Sequence, residues 1–134
     1  MTLPTGAAAK RAAMAKKILI IDDEVDLALL LKEFLETLGY EVFLAGTAAN
    51  GLEILKKEEP DLVFQDIVMP KVDGLESLQQ LKSARPQSIV IVMSGLRDAE
   101  LARKAIGFGA YDFLLKPLDL QQLQNNILSR IFPA

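Results

Sequence analysis

Leu62-Val63-Phe64-Gln65-Asp66-Ile67-Val68-Met69-Pro70, followed at once by Asp73-Gly74, is the stretch on which the reading of this chain turns. Three successive apolar residues, Leu62 to Phe64, cannot alternate between core and solvent. They read as a strand buried on both faces, as in a parallel sheet covered by helices on each side. Such a strand delivers Asp66 to its carboxyl end, where open parallel sheets gather their ligands and loops line the surface. Asp66 is therefore the first candidate for a working residue. Taken alone, an Asp that ends a strand more often simply opens a turn, so the rest of the chain has to decide.

Working outward, the pattern alternates strands with helices at the spacing of βα units. Ile18 to Ile21 form a first strand ending at Asp22, Asp23 and Glu24, and Leu27, Leu30, Leu31, Phe34 and Leu38 recur at helical spacing, with Gly39 as a stop. The spacing predicts a helix from Val25 to Leu38 and a strand from Tyr40 to Leu44. Thr47 can cap a second helix that carries Leu52 and Leu55 and is closed by Pro60. Beyond Asp66, Gly74 precedes a helix with Leu75, Leu78 and Leu81 that exits before Pro86, and a strand runs from Ile89 to Met93 up to Ser94-Gly95. An Ala-rich helix from Asp98 to Phe108 stops at Gly109, and a fifth strand, Tyr111 to Leu115, ends at Lys116-Pro117. Asp119 and Gln122 resemble a capping pair for a last helix with Leu123, Ile127 and Ile131 on one face. Five β/α units result.

Composition narrows the chemistry. The 134 residues, 51% of them apolar, suit one domain with one well-filled core. With no Cys and no His there is no disulfide, thiolate nucleophile, Cys-based zinc site or imidazole base, which leaves carboxylates, hydroxyls and Lys. Eighteen acidic against 15 basic side chains, a net charge of -3, argue against a nucleic-acid surface spread over the domain. No apolar run approaches bilayer-spanning length, so neither membrane insertion nor secretion is expected and a cytoplasmic location is. Residues 1–16 differ from the rest: Ala-rich and basic, with Lys10, Arg11 and Lys16 and no acid, they read as a mobile leader ahead of a domain at 17–134. Met14 would serve equally as a start.

In a parallel sheet the carboxyl ends of all strands share one edge. Here they offer Asp22 and Asp23, then Asp66, then Ser94, then Lys116. Carboxylates converging without a cation raise one another's pKa, so their crowding calls for a hard divalent ion, with magnesium the best fit and manganese an alternative. Such a site keeps one carboxylate for nucleophilic attack, while Ser94 and Lys116 can hydrogen-bond and neutralise phosphoryl oxygens. Each residue has a plainer role singly: helix-dipole charges for Asp22 and Asp23, a turn for Ser94, an exposed cation for Lys116. Four strand ends each supplying a suitable group are not accounted for by capping.

Ile-Ile-Asp-Asp-Glu at 20–24, Asp-Ile-Val-Met-Pro at 66–70 with Asp73-Gly74, Met-Ser-Gly at 93–95 and Leu-Lys-Pro at 115–117 together resemble the receiver domain of two-component response regulators. The resemblance covers Lys17 to about Ile131. It implies a flavodoxin-like α/β fold, a five-stranded parallel sheet in order 2-1-3-4-5 with five helices on both faces. It further implies that Asp66 accepts a phosphoryl group from a sensor histidine kinase or a phosphotransfer protein. Asp23, Asp66 and the backbone carbonyl of Val68 would bind Mg2+, with Asp22 assisting, and Ser94 and Lys116 would meet the phosphoryl oxygens. Ser94 and Phe113 would form the switch, Lys116-Pro117 is expected to be cis, and the helix 4/strand 5/helix 5 face would address an output domain or partner, with homodimerisation on phosphorylation. The family's commoner Tyr is replaced by Phe113, which has no hydroxyl to reward an outward state. The domain itself is expected to be regulatory, promoting only its own phosphorylation and dephosphorylation.

Val68 and Leu96, two residues after Asp66 and Ser94, are apolar and cannot orient a water towards a phosphoryl group. Slow self-dephosphorylation is the expected consequence. Three rivals are weaker. A magnesium-dependent phosphatase with an aspartyl phosphate would resemble Asp-x-Asp at its nucleophile, where this chain has Asp66-Ile67-Val68. A nucleotide-binding α/β domain lacks its Gly-rich loop. The third, a phosphorylation-independent binding module, is disfavoured by the intact acidic set. Ending at Ala134, just past the last helix, the chain reads as a stand-alone regulator or as the receiver of a longer one.

Overall fold

The computed structural model describes residues 16–133; the leader expected at 1–16 lies, apart from Lys16, outside them. Five strands, β1 (Lys17–Ile21), β2 (Glu41–Ala45), β3 (Leu62–Asp66), β4 (Ile89–Ser94) and β5 (Asp112–Leu115), alternate with helices α1 (Val25–Thr37), α2 (Ala48–Glu58), α3 (Gly74–Ala84) and α4 (Ala99–Gly107) and a closing helix α5 over 120–131. All neighbouring strands are parallel and the order is β2-β1-β3-β4-β5, as expected. Because β1, β3 and β4 are central, their side chains meet helices on both sides. Ile18, Ile20, Leu62, Phe64, Ile91 and Met93 pack with Ala28, Leu31 and Leu35 of α1 and Leu123 and Leu128 of α5. Leu19, Ile21, Val63, Val90 and Val92 pack with Leu55, Leu78, Leu81 and Ala105 of α2, α3 and α4. Continuous apolar strands are what two covered faces require.

Helix starts follow their caps. Thr47 accepts from the Asn50 N–H, Asp73 from those of Leu75 and Glu76, Asp98 from those of Glu100 and Leu101, and Asp119 from that of Gln122. Gly39 and Gly109, at φ 96° and 105°, turn the chain out of α1 and α4 in the left-handed region where a side chain would be strained.

Several boundaries differ from the sequence reading. β2 begins at Glu41 and continues to Ala45, and β5 begins at Asp112, because Tyr40 and Tyr111 serve as connectors: the Tyr111 N–H bonds back to the Val90 carbonyl at 2.7 Å. α1 ends at Thr37, with Leu38 as its cap. The larger correction is in α5, where Leu120–Gln122 passes into a π-helical stretch, Leu123–Leu128, before Ser129–Ile131. The wider turn moves the buried pair to Leu123 and Leu128, five residues apart, and leaves Ile127 and Ile131 half-buried at the margin of the same core.

Gly74 fixes how closely α3 approaches the loop after β3. A Cβ there would lie 2.1 Å from the Ile67 carbonyl oxygen and 2.8 Å from its carbon, backbone atoms with no rotamer to retreat into. Gly74→Ala is expected to cost about 2 kcal/mol of stability, read as a lower urea midpoint at unchanged slope. A midpoint equal to wild type would show that α3 slides freely.

Candidate functional site

Strand register builds the site. Ile21 pairs with Gln65, so Asp22 and Asp66 follow on adjacent strands, and Asp66 pairs with Met93 beside Ser94, which pairs with Leu115 beside Lys116. Backbone bonds prolong the ladder one residue past the strands: Asp22 N–H to the Ala45 carbonyl at 3.0 Å, Ile67 N–H to Met93 at 2.9 Å, and Lys116 N–H to Ser94 at 2.8 Å. The side chains expected to work together are thus presented along one edge by hydrogen-bonded main chain.

Asp22, Asp23 and Asp66 each bring a carboxylate oxygen to within 4.8 Å of the others. Asp22 and Asp66 are buried and Asp23 is exposed, so the cluster opens to solvent on one side. An all-oxygen, multiply anionic set of this kind suits a hard divalent cation. The Lys116 ammonium also reaches the cluster, 2.9 Å from Asp22 Oδ2 and 3.2 Å from Asp66 Oδ2, and it donates to Glu24 Oε1 as well. Burial draws the Lys116 pKa down, but hydrogen bonds to Glu24 and Asp22 and the charges of Asp22 and Asp66 outweigh it, and the group stays protonated well above the ordinary lysine range. Asp66 shifts up from the usual carboxylate value, chiefly because it is buried and secondarily because Asp22 is close; the Val68 N–H and Lys116 pull the other way.

Turns hold the loops. Asp22 Oδ1 accepts from the Glu24 N–H at 2.9 Å and Asp66 Oδ1 from the Val68 N–H at 3.0 Å. Ser94, fully buried, both donates to the Leu96 carbonyl and accepts from the Leu96 N–H, at 3.1 and 2.9 Å. Its hydroxyl is therefore engaged with its own loop instead of with Asp66. Phe113 is half-buried against the core on the α2–α4 side of the sheet, and the Lys116-Pro117 peptide is cis as expected. Val68 and Leu96, two residues past Asp66 and Ser94, have 45% and 56% of their surface exposed and carry no hydrogen-bonding side chains.

Two participants were not picked out from the sequence. Glu24 entered the sequence reading only as the last residue of Ile-Ile-Asp-Asp-Glu, with no role of its own, and the three-dimensional approach of β5 to the β1–α1 turn reveals its contact with Lys116. Gln65, inaccessible to solvent, donates from Nε2 to the Gly74 carbonyl at 3.2 Å, while its Oε1 has no partner among the described residues. It ties the end of β3 to the start of α3 across the loop that follows Asp66. A polar residue inside an otherwise apolar strand was the available signal.

Residues 18–128 match the family model described as the response regulator receiver domain. Among curated proteins, the chain is 36% identical over 107 residues to the chemotaxis protein CheY of Thermotoga maritima, an alignment covering 78% of this chain and 88% of that protein. It is 36% identical over 107 residues to the transcriptional regulatory protein ZraR of Klebsiella oxytoca, where 80% of this chain spans only 24% of the relative's length. Among solved structures, a response regulator protein from Burkholderia pseudomallei with a phosphorylated aspartic acid, calcium ion and citrate superimposes with a TM-score of 0.77 at 27% identity, covering 81% of this chain and 64% of that one.

Proposed function

This chain belongs to the response regulator receiver family, and from that premise we propose that residues 17–134 form a receiver in which Asp66 takes a phosphoryl group from the phosphohistidine of a sensor histidine kinase or a phosphotransfer protein. The observation that carries this reading is the convergence of Asp22, Asp23, Asp66 and Lys116 at one sheet edge. A carboxylate oxygen of Asp66 attacks phosphorus, the P–N bond breaks, and the imidazole nitrogen keeps the electron pair. Lys116 neutralises a phosphoryl oxygen, and Ser94, once it leaves the backbone of Leu96, donates to another. Asp22, Asp23, Asp66 and the Val68 carbonyl would hold Mg2+, or Mn2+ in its place, which when bound offsets charge on the transferring group.

The domain is regulatory. Added phosphoryl charge at Asp66 shifts Ser94 and with it α4, and the space this opens lets Phe113 turn inward. The surface so altered, α4, β5 and α5, carries the exposed Ile106, Tyr111 and Leu115, suited to an output domain, a partner protein or a second copy. The domain's proposed site of action is the cytoplasm; no helix among the described residues is long and apolar enough to cross a membrane.

The deciding test is intact mass after incubation with acetyl phosphate and Mg2+, with EDTA as control and fragmentation to locate the modification. A phosphate-sized increase on Asp66, abolished by EDTA, supports the reading. A folded protein with no increase, from acetyl phosphate or a phosphorylated kinase, overturns it in favour of a phosphorylation-independent module.

The apolar flanks of the site set how long the label lasts. The combined Val68→Asn and Leu96→Glu variant is expected to lose phosphoryl group several-fold faster than wild type, because polar groups at these positions can orient an attacking water. An unchanged lifetime would remove these side chains from the explanation.

A further inference from the structure

We propose that Glu24 is a positioning residue which, before phosphorylation, occupies the Lys116 N–H that a phosphoryl oxygen takes afterwards. This deepens the proposed function and rests on it. A lysine ammonium has three N–H donors, and here three carboxylates surround it: Asp22, Asp66 and Glu24. A new acceptor has to displace one of them. Asp22 and Asp66 side chains are only 2% and 4% exposed, whereas the Glu24 side chain is 55% exposed and rehydrates on release. Asp22 is further held through Oδ1 by the Glu24 N–H, and Asp66 through Oδ1 by the Val68 N–H. Glu24 is the partner that can leave.

Helix capping does not explain where this carboxylate lies. Glu24 is the N-cap of α1, yet its side chain makes no cap hydrogen bond and reaches instead to Lys116, 92 residues along the chain. The ammonium is thus shared among three carboxylates, and the acceptor carboxylate does not hold it alone. Phosphorylation would exchange Glu24 for a phosphoryl oxygen and free a carboxylate at the start of α1.

The test compares wild type with Glu24→Gln and Glu24→Ala, and with Asp26→Asn as a control that removes one nearby charge from the exposed first turn of α1. Labelling by acetyl phosphate breaks the P–O bond to the acyl oxygen, which leaves as acetate, and forms a P–O bond to Asp66. With saturating Mg2+, both Glu24 variants are expected to label about threefold to fivefold faster, the size of one exposed ion pair, while Asp26→Asn stays near the wild-type rate. In metal-free protein the side-chain ammonium resonance of Lys116 should shift in the Glu24 variants alone. Equal or slower labelling, an equal gain in Asp26→Asn, or an unmoved Lys116 resonance overturns the inference while leaving Asp66 as the acceptor. Absence of labelling in every protein, wild type included, overturns the phosphoacceptor reading and this inference with it.

Discussion

Asp66→Asn is expected to take up no phosphoryl group under conditions that label the wild type, and in metal-free buffer at neutral pH to unfold at a higher temperature. The first outcome follows from chemistry, since an amide offers no anionic oxygen to attack phosphorus. The second follows from the cost of the site. Burial raises the Asp66 pKa above its unfolded value, so the folded protein binds this proton more tightly and loses stability as pH rises through the interval between the two. Wild type and variant should therefore converge below the ordinary carboxylate pKa and separate above it, the variant being the more stable. Asn keeps an oxygen for the Val68 N–H, and Lys116 keeps Asp22 and Glu24 as it moves off the new amide. Mg2+ should raise the wild-type midpoint more than the variant's, because one ligand oxygen has lost its charge. A variant less stable than wild type at neutral pH would show that the Asp66–Lys116 attraction outweighs burial.

The fold was legible because its central strands are buried on both faces and so appear as unbroken apolar runs, Ile18 to Ile21 and Ile89 to Met93, punctuated by Gly39, Pro60, Pro86 and Gly109. Asp22, Asp66, Ser94 and Lys116 were legible for the related reason that parallel strands bring their carboxyl ends to one edge, and the sheet order placed them there. What escaped notice depends on geometry that no local pattern encodes. The i, i+4 spacing of Leu123 and Ile127 reads as a regular helix, but the π-helical turn buries Leu128 in place of Ile127. Glu24 sits beside a helix start, where an acid is ordinary, and acquires its partner only when Lys116 is folded against it. Ser94, expected to meet the phosphoryl oxygens, has its hydroxyl satisfied within its own loop in the structure. A buried hydroxyl must have partners in every state, so the sequence can name the residue without saying which state is populated.

Lys116→Met tests what holds the carboxylates together when no metal neutralises them. The substitution keeps an unbranched stem of similar length and removes the charge, leaving Asp22 and Asp66, both nearly inaccessible, facing each other without a counter-ion. Removing one partner of a buried pair typically costs 3–5 kcal/mol, and with Glu24 still able to reach water the lower figure applies: a loss of about 3 kcal/mol, or roughly 10 °C in Tm, is expected in EDTA at pH 7. The deficit should shrink in acid. Asp66, whose pKa burial already raises, would lose the lowering pull of Lys116 and retain its proton to higher pH in the folded than in the unfolded chain, so the variant gains stability as pH falls towards the carboxylate range. In wild type the Lys116 contribution runs the other way along the scale: its pKa is raised, so its stabilisation is complete below the ordinary lysine pKa and fades only as pH climbs through the higher folded value. Mg2+ separates this account from simple loss of packing. A divalent cation supplies the missing positive charge, so it should raise the variant's Tm by more than the wild type's and recover much of the deficit. A Met side chain that merely packed badly would stay destabilised by the same amount with or without the ion. Thermal unfolding of both proteins, in EDTA and in saturating Mg2+, at pH 5 and pH 8, distinguishes the two: an equal offset under all four conditions would mean that the ammonium is not the counter-ion of the acidic cluster.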